Sequence, residues 1–96
     1  MPDTTRPHTI THNTAQRRFE TTLDGHVSVI DYRLAGKVMR ITHTGVDRAV
    51  EGRGIASTLV ATALAHARAQ GLKVDPQCPY ARAYMERHPE TQDLRV

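Results

Sequence analysis

Met1 to Gln16 is rich in Thr, His and Pro, and Ile10 is almost its only large aliphatic residue. The pattern predicts a loose tail over 1–16 and a single folded domain over 17–96. His8 and His12 stand four apart in this tail, but Pro7 and the threonines around them oppose a stable helix. A solvated tail is therefore expected rather than a metal-binding pair. From Arg17 the polarity alternates. Phe19, Thr21 and Leu23 share one face, which predicts a strand over 17–23. Asp24-Gly25 is a hairpin signal, because glycine tolerates the positive φ of a tight turn. A second strand is predicted over 26–34. Its apolar phase slips: Val27 and Val29 lie on one face, Ile30, Tyr32 and Leu34 on the other. Either both faces are covered or a bulge lies near Val29. Ala35-Gly36-Lys37 is the next turn. A third strand follows over 38–46, with Met39, Ile41 and His43 on one face and Val38, Arg40, Thr42 and Thr44 on the other.

Beyond a loop at 47–53 the period changes. Ile55, Leu59, Val60, Ala63, Leu64 and Ala67 form a broad stripe at helical spacing, predicting a helix over 54–70. Gly71 stands where a left-handed cap would stop it. Leu72-Lys73-Val74 is a short fourth strand ended by Asp75-Pro76. Pro79 is placed to begin a second helix, Tyr80 to about His88, and His88-Pro89 ends it. Residues 93–96 are a candidate last short strand. The order strand, strand, strand, helix, strand, helix predicts an α/β fold of the α+β kind, a mixed and mostly antiparallel sheet with two packed helices.

Composition narrows the function. With 96 residues, 39% of them hydrophobic, the chain holds one modest core. Charged residues are 24%, unlike a disordered chain. Thirteen Lys and Arg against ten Asp and Glu give +3, and the pI is near 9.5. An anionic partner is permitted, but the basic residues are scattered. Four aromatic residues, Phe19, Tyr32, Tyr80 and Tyr84, are too few for a base-stacking platform. A small basic nucleic-acid-binding protein is thus the weakest of three readings. The single cysteine, Cys78, excludes an internal disulfide and a four-thiolate zinc site. A fold held by packing alone suits a reducing compartment, and the N-terminus has no apolar signal core, so a cytoplasmic location is expected. The longest uncharged, proline-free run in the helical region, Gly54 to Ala65, falls short of the ~20 residues that span a bilayer.

Glu51-Gly52-Arg53-Gly54-Ile55-Ala56 lies between a strand and a helix. Two glycines let the backbone approach an anion, and the free N–H groups of a first helical turn would point at it. No Gly-Lys-Ser/Thr follows, so this is not a P-loop; the third glycine of a dinucleotide fingerprint is also missing. The stretch from Ile41 through Glu51-Gly52-Arg53-Gly54-Ile55-Ala56 to Val74 resembles the acetyl-coenzyme A motif of the GNAT superfamily of N-acetyltransferases. Cys78-Pro79-Tyr80 and His88-Pro89-Glu90 resemble the second half of its minimal, YjdJ-like branch. The resemblance spans about Phe19 to Leu94. It implies an acetyl-coenzyme A-dependent N-acetyltransferase acting on an amine, with acetyl-coenzyme A as cosubstrate. It also implies cofactor pyrophosphate on the amides of Glu51, Gly52, Arg53, Gly54, Ile55 and Ala56, with Tyr80 beside the cofactor. Pantetheine would lie like an added strand along Thr44, Gly45 and Val46, and the thioester would enter the gap between the third and fourth strands. Glu51 replaces the motif's usual Arg or Gln, which leaves side-chain help to Arg53 or to a residue elsewhere. The superfamily's N-terminal helices are absent, so the acceptor pocket would be open, shallow or completed by a partner. A coenzyme A-binding module with little catalysis is the second reading.

Acyl transfer to an amine needs a neutral amine, a route for its proton, and a proton for the leaving thiolate. Many relatives use a tyrosine on the second helix for the last of these. Here that position holds Met85, and Tyr84 falls one residue early, where core packing explains it. Two catalytic candidates remain. Cys78 falls at the strand end by the expected thioester, as proton donor or nucleophile; a lone cysteine is otherwise a small buried hydrophobe. His43 on the third strand suits a general base near neutral pH, or is a satisfied sheet histidine. His66 and His26 are expected at the surface, and His88 as a cap on the second helix. No metal site is expected.

Overall fold

A computed structural model describes residues 9–96. The sheet has five strands in sequential order: β1 (Thr11–Asn13), β2 (Arg18–Leu23), β3 (His26–Ala35), β4 (Val38–Gly45) and β5 (Lys73–Pro76). The first four are antiparallel neighbours, and β5 joins β4 in parallel. Two helices, α1 (Ile55–Ala69) and α2 (Pro79–Arg87), pack on it. Short 3-10 turns flank them at Arg48–Val50 and Pro89–Leu94.

The two hairpins use the expected turns. Asp24 and Gly25 both have positive φ, 52° and 79°, the conformation that a two-residue hairpin requires. Phe19 and Thr21 of β2, Ser28, Ile30 and Tyr32 of β3, Met39 and Ile41 of β4, and Val74 of β5 are buried. They share the face that α1 covers with Ile55, Leu59, Val60, Ala63, Leu64 and Ala67. α1 ends in a left-handed cap. Gly71 has φ 70°, and the N–H groups of Leu72 and Gly71 donate to the carbonyls of Ala67 and Arg68 at 2.8 and 3.3 Å. α2 adds Ala81 and Met85 to the same core. Among the described residues, no helix packs on the other sheet face. Val27 is half exposed there, and Arg33 and Arg40 are exposed.

Four expectations require correction. Residues 11–13, expected in the tail, form β1 on the edge of β2. His12 anchors them: its ring stacks on Phe19 at 4.1 Å, and its Nε2 lies 2.6 Å from the Tyr32 hydroxyl. His8, the other member of the considered pair, lies outside the described residues. His66, expected at the surface, is half-buried and meets the His12 ring edge-on at 4.5 Å. The β2–β3 register runs unbroken past Val29. The irregularity falls instead between β3 and β4, where Asp31 faces His43 and Tyr32 faces Ile41, leaving Thr42 as the extra residue. Residues 93–96 are no strand: the chain takes a 3-10 turn to Leu94, then a single parallel bridge joins Arg95 to Val74.

Candidate active site

The bulge at Thr42 decides which side chains enter the site. Cross-strand partners share a face. Thr44 pairs with core-facing Ile30, while His43 pairs with Asp31 on the open face. The extra residue therefore turns Thr44 inward and His43 outward. His43 is exposed, and its expected place beside Met39 and Ile41 is corrected accordingly. A Cβ on Gly45 would sit 2.9 Å from His43 Nε2, on that same outer side.

Pairing between β4 and β5 runs from Val38 and Lys73 to Ile41 and Pro76 and then stops. The last link is the Cys78 N–H donating to the Ile41 carbonyl at 2.9 Å. Beyond it the two chains diverge, and β4 continues to Gly45 with no β5 partner. Cys78 sits at this fork as the N-cap residue of α2, followed by Pro79 in the first turn. It is 5% exposed. Its thiol donates to Thr44 Oγ1 at 3.4 Å. Burial alone would raise its pKa. The Thr44 hydroxyl and the N–H groups of Ala81, Tyr80 and Thr44 outweigh that and hold the thiol below its ordinary range.

A second hollow, of about 240 Å³, lies beside the start of α1. Val46, Glu51, Gly52, Gly54, Ile55, Ala56, Ser57 and Tyr80 line it. Gly52 and Gly54 have φ of 82° and 74°, and a Cβ at either would meet only open space. The glycines are thus required by backbone conformation and not by crowding within the chain. Gly54 is the N-cap of α1 and supplies no side-chain bond. The first-turn N–H groups of α1 have no partner inside the helix and open on this hollow. Tyr80, 37% exposed, lies on its wall two residues after Cys78. Val46 lines it two residues after Thr44. The thiol and the glycine loop are therefore the two ends of one tract along β4 and the start of α2.

Of the predicted residues, Val46, Glu51, Gly52, Gly54, Ile55, Ala56 and Tyr80 line this hollow, and Thr44 and Cys78 meet at the fork. Arg53 turns to the hairpin, with Nη1 3.0 Å from Asp24. Tyr84 stacks on His88 at 3.9 Å, and His88 Nδ1 lies 2.7 Å from the Tyr84 carbonyl. Burial, then the charges of Glu90 and Tyr80, push the Tyr84 hydroxyl above its usual pKa, which weakens it as an acid. Met85 is fully buried. Ser57 was not singled out in the sequence. A serine in a helix's first turn is common enough to carry no signal. Among the described residues, no group of three or more His, Cys, Asp or Glu could hold a metal ion.

The sheet forks beside a helix entered through glycines, in an α+β domain. The model of the GCN5-related N-acetyltransferases matches residues 18–94. The chain belongs to that family. It is 33% identical over 91 residues to Protein NATD1 of mouse and of human, covering 92% of this chain and 83% and 80% of theirs. The solution NMR structure of a GCN5-like protein from Staphylococcus aureus superposes with a TM-score of 0.74 at 26% identity, covering 92% of this chain and 87% of that one. The resemblance read from the glycine loop holds, and so does the predicted mixed sheet with two helices, extended by one N-terminal strand.

Proposed function

We propose that the protein is an acetyl-coenzyme A-dependent N-acetyltransferase acting on an amine. The observation that carries the reading is the Cys78 thiol at the fork of β4 and β5, bonded to Thr44 and held below the usual thiol pKa. The residues present fit the cosubstrate. The N–H groups from Glu51 to Ala56 would receive the pyrophosphate, because the glycines leave the approach open and the helix dipole favours an anion. The unpaired edge at Thr44, Gly45 and Val46 would hold the pantetheine amides. Once bound, the thioester supplies an activated acyl group.

Cys78 then has two chemical roles open to it. As a thiol it donates its proton to the departing sulfur. As a thiolate it accepts the acyl group as its own thioester, from which a neutral amine takes it. Thr44 positions the sulfur in either case. His43 lies on the outer face, across the sheet from the Thr44–Cys78 contact. Arg53 would add charge at the phosphates only by leaving Asp24. A coenzyme A-binding module with little catalysis is the second reading, favoured by Met85 at the position of the expected tyrosine. Native mass spectrometry of the purified protein, followed by incubation with acetyl-coenzyme A and a mixture of amines, tests both. Retained coenzyme A with amine acetylation supports the enzyme. Retention without transfer supports the binding module, and no retention removes both.

A further inference from the structure

A concavity of about 680 Å³ lies on the sheet face that no described helix covers. The proposed acyl-transfer site makes no use of it. Arg17, Arg18, Asp31, Arg33, Leu34 and Arg40 are among its lining residues. Four arginines against Asp31, and the Asp75 that reaches Arg40, leave a surplus of two positive charges. The charges that look scattered along the sequence are gathered here by the β2–β3–β4 register.

These arginines are poorly neutralised. Asp31 holds Arg18 at 2.8 Å, and Asp75 lies 3.9 Å from Arg40. Arg17 and Arg33 have no ion pair among the described residues. Arg33 and Arg40 are direct cross-strand partners, an arrangement of like charges that destabilises a sheet. Arg17 has φ 56°, an uncommon conformation for a residue with a side chain. The Tyr32 N–H donates to its carbonyl at 3.0 Å and fixes it there. The φ of Arg17 serves the turn between β1 and β2; the Arg33–Arg40 pair does not help the fold, and local conflicts of this kind gather at functional surfaces.

We propose that this groove binds an extended acidic peptide segment, the carboxylate-bearing flank of a protein acceptor. The peptide's role as acceptor rests on the acyl-transfer reading; its binding does not. Guanidinium forks match carboxylates in bidentate geometry. Leu34, 45% exposed, and Ala35 supply apolar contact between the charges. A single small anion would leave most of the volume unfilled. A nucleic acid fits less well, since the only aromatic residue of the groove, Tyr32, is buried and Asp31 would face the phosphates. The bulge residue Thr42 lines the same groove and follows Ile41, whose carbonyl holds Cys78 at the fork. The groove thus leads to the edge of the acyl-transfer gap from the side opposite the helices.

Fluorescence anisotropy of a labelled Glu-Glu-Lys-Glu-Glu peptide tests the proposal, with a Gln-for-Glu peptide and oligothymidylate of matched charge as comparators. The acidic peptide binds, the Gln peptide does not, and high salt weakens the complex. Arg33→Gln combined with Arg40→Gln weakens binding about tenfold or more, as loss of paired interfacial charge does. The same variant melts no lower than the parent, since a like-charge pair is gone, and keeps its stabilisation by coenzyme A. Equal binding of the Gln peptide, unchanged affinity of the double variant, or tighter binding of oligothymidylate overturns the proposal. Peptide binding in a protein that coenzyme A fails to stabilise supports the groove and overturns the acyl-transfer reading.

Discussion

Thr44 Oγ1 and Cys78 Sγ meet at 3.4 Å, although 34 residues separate them in the chain. The contact exists because one extra residue in β4, Thr42, turns Thr44 toward the helices. It couples a strand that stops pairing to a helix that is just beginning.

The first prediction follows from that contact. Thr44→Val removes a hydroxyl that favours the thiolate, so the Cys78 pKa rises. Alkylation of the native protein near neutral pH should slow by about threefold to tenfold, since the thiolate is the reactive form. Cys78→Ser should keep the coenzyme A-dependent thermal shift and cut acetyl transfer by at least about tenfold. Unchanged transfer in Cys78→Ser would make the residue structural.

Gly54→Val tests the phosphate cradle. The φ of 74° strains any β-branched residue, at a cost of about 1–3 kcal/mol. The new side chain also projects into the open space above the loop. A lower melting temperature is expected together with loss of the shift produced by acetyl-coenzyme A. A variant that binds normally would move the phosphate site elsewhere.

His12 predicts a pH dependence of stability. Burial, then the neighbouring charge of His66, holds its pKa below 6.5. The unfolded chain therefore takes up the proton more readily. The contribution of His12 is complete above about pH 6.5 and is lost as pH falls through the lower, folded value. Melting temperatures between about pH 7.5 and 5.5, above ordinary carboxylate titration, should fall in the parent and stay flatter in His12→Phe. Equal slopes would reject the assignment.

Ser28 predicts a gain. It is 1% exposed, and its Oγ has no hydrogen-bond partner among the described residues. Ser28→Ala should raise stability by about 1 kcal/mol, because an unsatisfied buried hydroxyl is removed. Denaturant unfolding with an unchanged m-value checks it. A loss of stability would point to a bound water serving that hydroxyl.

The hairpin at Asp24-Gly25, the stripe from Ile55 to Ala67 and the stop at Gly71 were legible because local chemistry determines them. The glycine loop was legible for the same reason. Two features were not. β1 is the polar tripeptide Thr11-His12-Asn13, and its attachment depends on the side-chain partners of His12 rather than on alternation. The bulge was misplaced because Met39, Ile41 and His43 alternate perfectly in sequence, while Thr42 drops out of register only against Asp31 and Tyr32. Hence His43 looked inward and the partner of Cys78 went unremarked. The arginine groove was hidden as well, since Arg17, Arg33 and Arg40 converge only once the strands pair.

The parallel pairing of β5 with β4 also sets the order of assembly. The meander from β1 to β4 closes through short turns, whereas β5 must return across the whole of α1 before it can dock on β4. Distant contacts of this kind form late, because the intervening chain must first be ordered. A ribosome-bound or refolding chain should therefore gain its sheet before its sulfur becomes sheltered. Pulse alkylation during refolding would find Cys78 still open when the strand signal is already native. The fork that shelters Cys78 would then be the final feature the chain acquires, and the earliest to disappear under mild denaturation.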